Sequence, residues 1–147
     1  MSEPVSVTVT RQDKYKFLVD FGPVIAKSVA DEPPPLGEGG GPSPTQLLAA
    51  AVANCLSSSL VFASARSKED PGHLVTTVSC EIDRNERNRL RVTGMNVTIM
   101  LSAAPDQLAH FDRALEQFED FCTVSQSVRN GIPYSLTVKG PDGQVLK

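Results

Sequence analysis

The chain has 147 residues, with 14 Lys and Arg against 17 Asp and Glu, a formal charge of -3 and 40% apolar side chains. That length fits a single domain over residues 1–147 with a sizeable core, and the mildly acidic balance lacks the cationic footprint of nucleic-acid binders and offers anionic membranes nothing to attract. The most apolar run, Leu47 to Ala53, stops at Asn54 ahead of Ser57, Ser58 and Ser59, too short to cross a bilayer.

Val5, Val7 and Val9 alternate with Ser6, Thr8 and Thr10. After Arg11-Gln12-Asp13, Tyr15, Phe17, Val19 and Phe21 alternate with Lys14, Lys16 and Asp20. This pattern predicts a hairpin with one buried face, and Val24 to Ala30 supplies a third short strand beyond Gly22-Pro23. Asp31 to Ser43 carries four prolines and four glycines and reads as a loop. Loops of this length in compact domains tend to be functional, disordered or interface arms. Ser43 as N-cap, Pro44 at the first helical position and Gln46 to close a capping box start a helix. It runs to about Ala65 and is apolar or small on nearly every side, as in a helix buried within a domain or a subunit interface.

Past Asp70-Pro71-Gly72, Thr76, Val78, Cys80 and Ile82 share the core face of a strand, opposite Thr77, Ser79, Glu81 and Asp83. Arg84 to Arg89 forms a charged turn. The return strand has Leu90 and Val92 in one phase and Met95, Val97, Ile99 and Leu101 in the other, so a bulge is expected at Thr93-Gly94. Pro105 opens a second, amphipathic helix whose Leu108, Phe111, Leu115, Phe118 and Cys122 follow helical steps. Thr123 and Gln126 form a further capping-box pattern for a short helix from Val124 to Arg129 that stops at Asn130-Gly131. Tyr134, Leu136 and Val138 form a strand, and the Gly140-Pro141-Asp142-Gly143 turn leads into Gln144 to Lys147. The order βββ-α-ββ-α-α-ββ is that of an α+β domain.

Chemistry rests on few residues. The N-terminus has no basic start or apolar stretch of signal-peptide type, so a cytoplasmic location with reduced thiols is expected. Cys55, Cys80 and Cys122 lack the close pairs of a zinc site, and His73 and His110 are the only imidazoles, so no metal is expected. Gly37, Gly39, Gly40 and Gly41 do not make a phosphate loop, because Pro42 replaces the last glycine and no Gly-Lys-Ser/Thr follows. Arg84, Arg87, Arg89 and Arg91 are interleaved with Asp83 and Glu86 and read as a solvated hairpin tip. Cys80 reads as a small core residue. Cys122, beside a capped helix start, fits both an activated thiolate and plain packing in its helical stripe. Cys55, about three turns into its helix, reads from composition as core.

The runs DEPPPLGEG, GPSPTQLLAAAVANCLSSSL (Gly41 to Leu60) and FCTVSQSVRNGIP (Phe121 to Pro133) resemble the OsmC/Ohr family of thiol peroxidases over nearly the whole chain. The resemblance implies an intertwined homodimer in which curved antiparallel sheets wrap long buried helices, with active sites at the subunit interface. It further implies that Cys55 is peroxidatic, attacking the O–O bond of an organic hydroperoxide, and that Cys122, 67 positions on, resolves the sulfenic acid as a disulfide. An external dithiol would then reduce it, with no cofactor. Family peroxidases carry a Glu ten positions before the helix cysteine, orienting an N-terminal arginine that stabilises the thiolate; here that position is Thr45, followed by Gln46. Either could hydrogen-bond an arginine, less firmly than a carboxylate would. Arg11 is the nearest equivalent for that arginine and Arg129 a second choice, while Asp31 and Glu32 could supply the carboxylate.

Two functions are therefore expected. The Cys55 and Cys122 pair favours a peroxidase acting on organic hydroperoxides or hydrogen peroxide. Thr45 favours a weakly catalytic or non-catalytic relative that binds a small apolar ligand or serves as a redox-responsive disulfide switch.

Overall fold

The computed structural model describes residues 2–103 and 108–131. Strands β1 (Thr8–Asp13), β2 (Lys16–Asp20) and β3 (Ser28–Ala30) form an antiparallel sheet in that order, and β4 (Leu74–Arg84) pairs with β5 (Leu90–Leu101) in a second, antiparallel ladder. In chain order α1 (Pro44–Ala65) follows β3 and precedes β4, and α2 (Phe111–Gln117), a 3₁₀ turn (Phe118–Phe121) and α3 (Thr123–Arg129) follow β5. The expected C-terminal strand and turn, and Pro105, lie outside the described residues.

The first hairpin forms where alternation predicts it, with Val9 opposite Val19 and Arg11 opposite Phe17. Its turn falls at Lys14-Tyr15, and the expected Arg11-Gln12-Asp13 interval continues β1 instead. Lys14 takes a positive φ of 45° and its carbonyl accepts the Arg11 Nε–H at 2.8 Å, so Tyr15 belongs to the turn instead of the strand. The expected buried face is covered only in part: Val19 is buried, but Val7, Val9 and Tyr15 remain exposed on an apolar concavity shared with Phe17, Phe21 and Leu47. The third strand shortens to three residues, because Gly22 turns the chain at φ 127° with its N–H on the Asp20 carboxylate.

The Pro/Gly loop is internally hydrogen-bonded. Asp31, 3% exposed, accepts the N–H groups of Glu38 and Gly40 on one carboxylate oxygen, and its own N–H donates to the Pro42 carbonyl. The Gly40 N–H holds the Asp31 carboxyl below the usual range against the opposing effect of burial, with help from the Glu38 and Glu32 N–H groups and Lys16. Gly41 passes so close to the Val29 carbonyl that a Cβ there would collide with it.

Helix α1 starts as its sequence requires, with Ser43 Oγ accepting the Gln46 N–H at 3.3 Å and Gln46 Oε1 accepting the Ser43 N–H at 2.8 Å. By length and composition α1 would qualify as a membrane span. The uninterrupted run understated its apolar extent, because the serines that end the run continue the helix. Within the domain it packs on β4, α2, α3 and the 3₁₀ turn. One stripe, Val52, Leu56, Ser59, Leu60, Ala63 and Ser64, is buried, while Val61 and Phe62 are exposed, so the all-round burial expected from composition is not reached within one protomer.

In the second ladder Val78 faces Val97 and Cys80 faces Met95, and the register shifts beside Glu81 because Thr93 is the extra residue, at the predicted bulge. Cys80 is on the inward side but only half-buried, and Ile82, at the uncovered end of the strand, is exposed. The predicted amphipathic helix is broken. Leu108 precedes it as a buried turn residue, α-helix runs only from Phe111 to Gln117, and the chain tightens through the 3₁₀ turn, so Cys122 leaves the stripe and becomes the N-cap of α3. The cap at α3 is thus the Cys122 sulfur and not Thr123, and Gln126 Nε2 donates to the Glu119 carbonyl instead of closing a box. Gly131, at φ 73°, ends the helix where expected.

Candidate functional site

The two cysteines singled out in the sequence meet. Cys55 projects from the middle of α1, and Cys122 stands at the entrance of α3, where the chain turns back onto α1. Cys55 packs against the same buried cluster that contains Cys122. Cys122 is fully buried against Val52 and Leu56, with Val78, Met95, Ile99, Phe118, Val124 and Val128 packed around this cluster, and Cys55, half-buried, forms part of its edge. Ser57, two residues past Cys55, bonds Thr76 on β4 at 2.6 Å between hydroxyls, which fixes this part of α1 against the second ladder.

Burial pushes the Cys122 thiol up, but surrounding donors outweigh it and hold the thiol below its ordinary range: the Ser125 hydroxyl first, then Cys55, the Ser125 N–H and Ser59. The Ser125 N–H lies 3.4 Å from the sulfur. Among the described residues the Ser125 hydroxyl makes no close hydrogen bond, so it acts on the sulfur as a nearby dipole while the Ser125 N–H makes the direct contact. Neutral donors are an economical way to favour a buried thiolate, since they add no second charge to be desolvated.

Beside the pair opens a cavity of about 520 Å³, walled by Val52, Leu56, Met95, Val97, Ile99, Phe118 and Val128. Ser125 and the Glu119–Arg129 ion pair, 3.3 Å between Oε2 and Nη1, supply its polar edge. Its size and lining suit a small, largely apolar molecule whose polar end faces the rim.

Apart from Arg129, the remaining sequence candidates sit elsewhere in the protomer. Arg11 is tied into its hairpin turn, and Gln46 into the N-terminal cap of α1. Thr45 is ten residues, or about 15 Å of helix rise, from Cys55 along the same helix. Asp31 is engaged by its own loop and the Glu32 carbonyl accepts the Gly39 N–H. Arg129 stands at the cavity mouth, paired with Glu119. Sequence reasoning missed Ser59 and Ser125, although spacing carried a signal for both: Ser59 is one turn beyond Cys55 on the same face of α1, and Ser125 is three residues after Cys122, where the third amide of a capped helix points back at its cap.

A family model described as OsmC-like protein matches residues 37–137. None of the curated proteins matches the chain significantly. Among solved structures, an OsmC-like protein from Mycoplasma pneumoniae superposes with a TM-score of 0.70 at 11% identity over 88% of this chain and 89% of its own. An OsmC-like protein from Vibrio cholerae gives 0.66 at 17% identity, over 86% of this chain and 93% of its own. The organic hydroperoxide resistance protein OhrB of Bacillus subtilis gives 0.63 at 18% identity, over 88% and 93%. At these identities the structural likeness is one of fold, and it agrees with the mixed architecture of antiparallel sheets and helices described above. With the family model covering most of its length, the chain belongs to the OsmC-like family.

Proposed function

We propose that the protein is a thiol-dependent hydroperoxide reductase, with Cys55 as the peroxidatic and Cys122 as the resolving cysteine. The observation that carries this reading is the meeting of two thiols, 67 positions apart in the chain, in a cluster whose Val52 and Leu56 also wall an apolar cavity. The name of the Bacillus relative, an organic hydroperoxide resistance protein, points the same way.

Cys55, the more open of the two, attacks the terminal oxygen of R–O–O–H. The O–O bond breaks, Cys55 becomes a sulfenic acid, and the departing alkoxide takes a proton to leave as the alcohol. Cys122 then attacks the sulfenic sulfur, water leaves, and a Cys55–Cys122 disulfide forms before further oxidation can occur. A dithiol of external origin restores both thiols. The apolar walls around Val52, Ile99 and Phe118 favour an alkyl or aryl hydroperoxide over hydrogen peroxide. No metal or organic cofactor enters this cycle, and the location we assign is cytoplasmic, where such reductants are at hand.

The working form we assign is a homodimer. The uncovered apolar face of the first sheet, with Val7, Val9 and Tyr15, and the exposed Val61 and Phe62 of α1 are surfaces a second copy would cover. In such a pair a partner's Arg11, Thr45 or Gln46 is the means by which these residues would support Cys55, because within one chain helix length separates Thr45 and Gln46 from it.

A second reading, a binder of small apolar ligands or a redox-responsive disulfide switch, is favoured by Thr45 at the position of the family carboxylate and by the commitment of Gln46 to the helix cap. Stopped-flow oxidation with cumene hydroperoxide separates the two. A peroxidase reacts orders of magnitude faster than a free thiol and loses that rate in Cys55→Ser, whereas a binder or slow switch reacts no faster than a free thiol.

A further inference from the structure

The direction in which the oxidised site is reduced follows from an asymmetry between its two sulfurs, and this inference rests on the Cys55–Cys122 disulfide of the reading above. Within one protomer Cys122 is 0% exposed, whereas Cys55 is only half-buried. Negative charge is also supported unequally. The Ser125 N–H reaches the Cys122 sulfur at 3.4 Å, and the hydroxyls of Ser125 and Ser59 act on the same atom. Both serines are more than nine-tenths buried beside the sulfur, where their hydroxyl dipoles add to the Ser125 N–H. In thiol–disulfide exchange the sulfur attacked is the accessible one, and the thiol whose thiolate is better stabilised leaves faster. Here access and leaving ability select the same direction.

We propose that an external thiolate attacks Cys55 and that Cys122 is the leaving group, received as a thiolate by Ser59 and Ser125. In the first step the reductant's sulfur bonds to Cys55, the Cys55–Cys122 bond breaks, and its electron pair passes to Cys122, which later takes a proton from solvent. In the second step the other thiol of the dithiol attacks the reductant's own sulfur in the mixed disulfide. Cys55 is released as a thiolate, and the reductant departs as a cyclic disulfide. Two electrons have then moved from the dithiol to the protein disulfide. Ser59 and Ser125 are positioning residues here, acting through Cys122.

The test traps the first step. The disulfide is made separately with cumene hydroperoxide and with diamide, exposed briefly to excess 2-mercaptoethanol, and quenched with N-ethylmaleimide for peptide mapping. The expected product carries mercaptoethanol on Cys55 and maleimide on Cys122, in excess over the reverse by roughly tenfold or more. A product evenly divided, or reversed, overturns the proposal. If diamide makes the bridge and the hydroperoxide does not, the peroxidase reading fails while the exchange test still decides the direction of reduction. If neither reagent makes it, both fall. The double variant Ser59→Ala with Ser125→Ala should move the partition toward even and slow reduction, and Ser125→Thr should restore much of both. A serine pair that only packed the core would leave the partition between the two sulfurs unchanged.

Discussion

Replacing Val97 by Trp tests whether the cavity beside the cysteines receives the organic part of a hydroperoxide. Val97 lines the cavity from β5 and is 37% exposed, so a larger side chain can enter from the open side without displacing the buried stripe of α1. If the indole occupies the wall that about 100 Å² of the cumyl group would otherwise contact, about 25 cal/mol/Å² gives about 2.5 kcal/mol, or roughly 70-fold in kcat/KM. Hydrogen peroxide has no apolar part to lose, so its kcat/KM should stay within about threefold. The assay is the initial rate of dithiol-dependent turnover with each peroxide, alongside thermal unfolding of the variant. Equal losses for the two peroxides, or no loss for either in a protein that unfolds normally, would refute the assignment of this cavity.

Packing, capping and acid stability give further expectations. Leu60 is 2% exposed and Leu90 is 56% exposed, so the same Leu→Ala change should cost about 2–5 kcal/mol at position 60 and less than about 0.5 kcal/mol at position 90 in urea unfolding. Ser43→Ala removes the acceptor for the Gln46 N–H and should cost about 1 kcal/mol by the same measurement. The Asp31 carboxyl titrates below its unfolded value of about 3.9. Its contribution is therefore fully present above about pH 4 and is lost as pH falls through the lower, folded value. Asp31→Asn should flatten that acid limb in pH-dependent urea unfolding, and an unchanged slope would contradict the role given to this carboxylate.

Much of the architecture was legible because local rules and tertiary packing agree. The capping box at Ser43 and Gln46, the alternation of β4 and the phase slip at Thr93 each have a cause confined to a few neighbouring residues. The break between α2 and α3 was not legible, since the spacing from Leu108 to Cys122 suits one helix and only the return of the chain onto α1 turns Cys122 into a cap. The bare face of β1 was hidden for a related reason: alternation tells which residues share a face, but not whether this chain supplies the layer that covers it. For the site, the pairing of Cys55 with Cys122 came from resemblance. Ser125 follows Cys122 by three residues, a local signal, whereas Ser59 supports Cys122 only through the contact between α1 and α3, which its own spacing does not specify.

Whether Cys55 and Cys122 form one redox couple is decided by the fate of the thiols after one equivalent of cumene hydroperoxide. Intact mass and peptide mapping should give loss of two hydrogens and a Cys55–Cys122 bridge, formed far faster than a free thiol reacts and absent in Cys55→Ser. A protein that keeps both thiols, or bridges through Cys80, has no such couple.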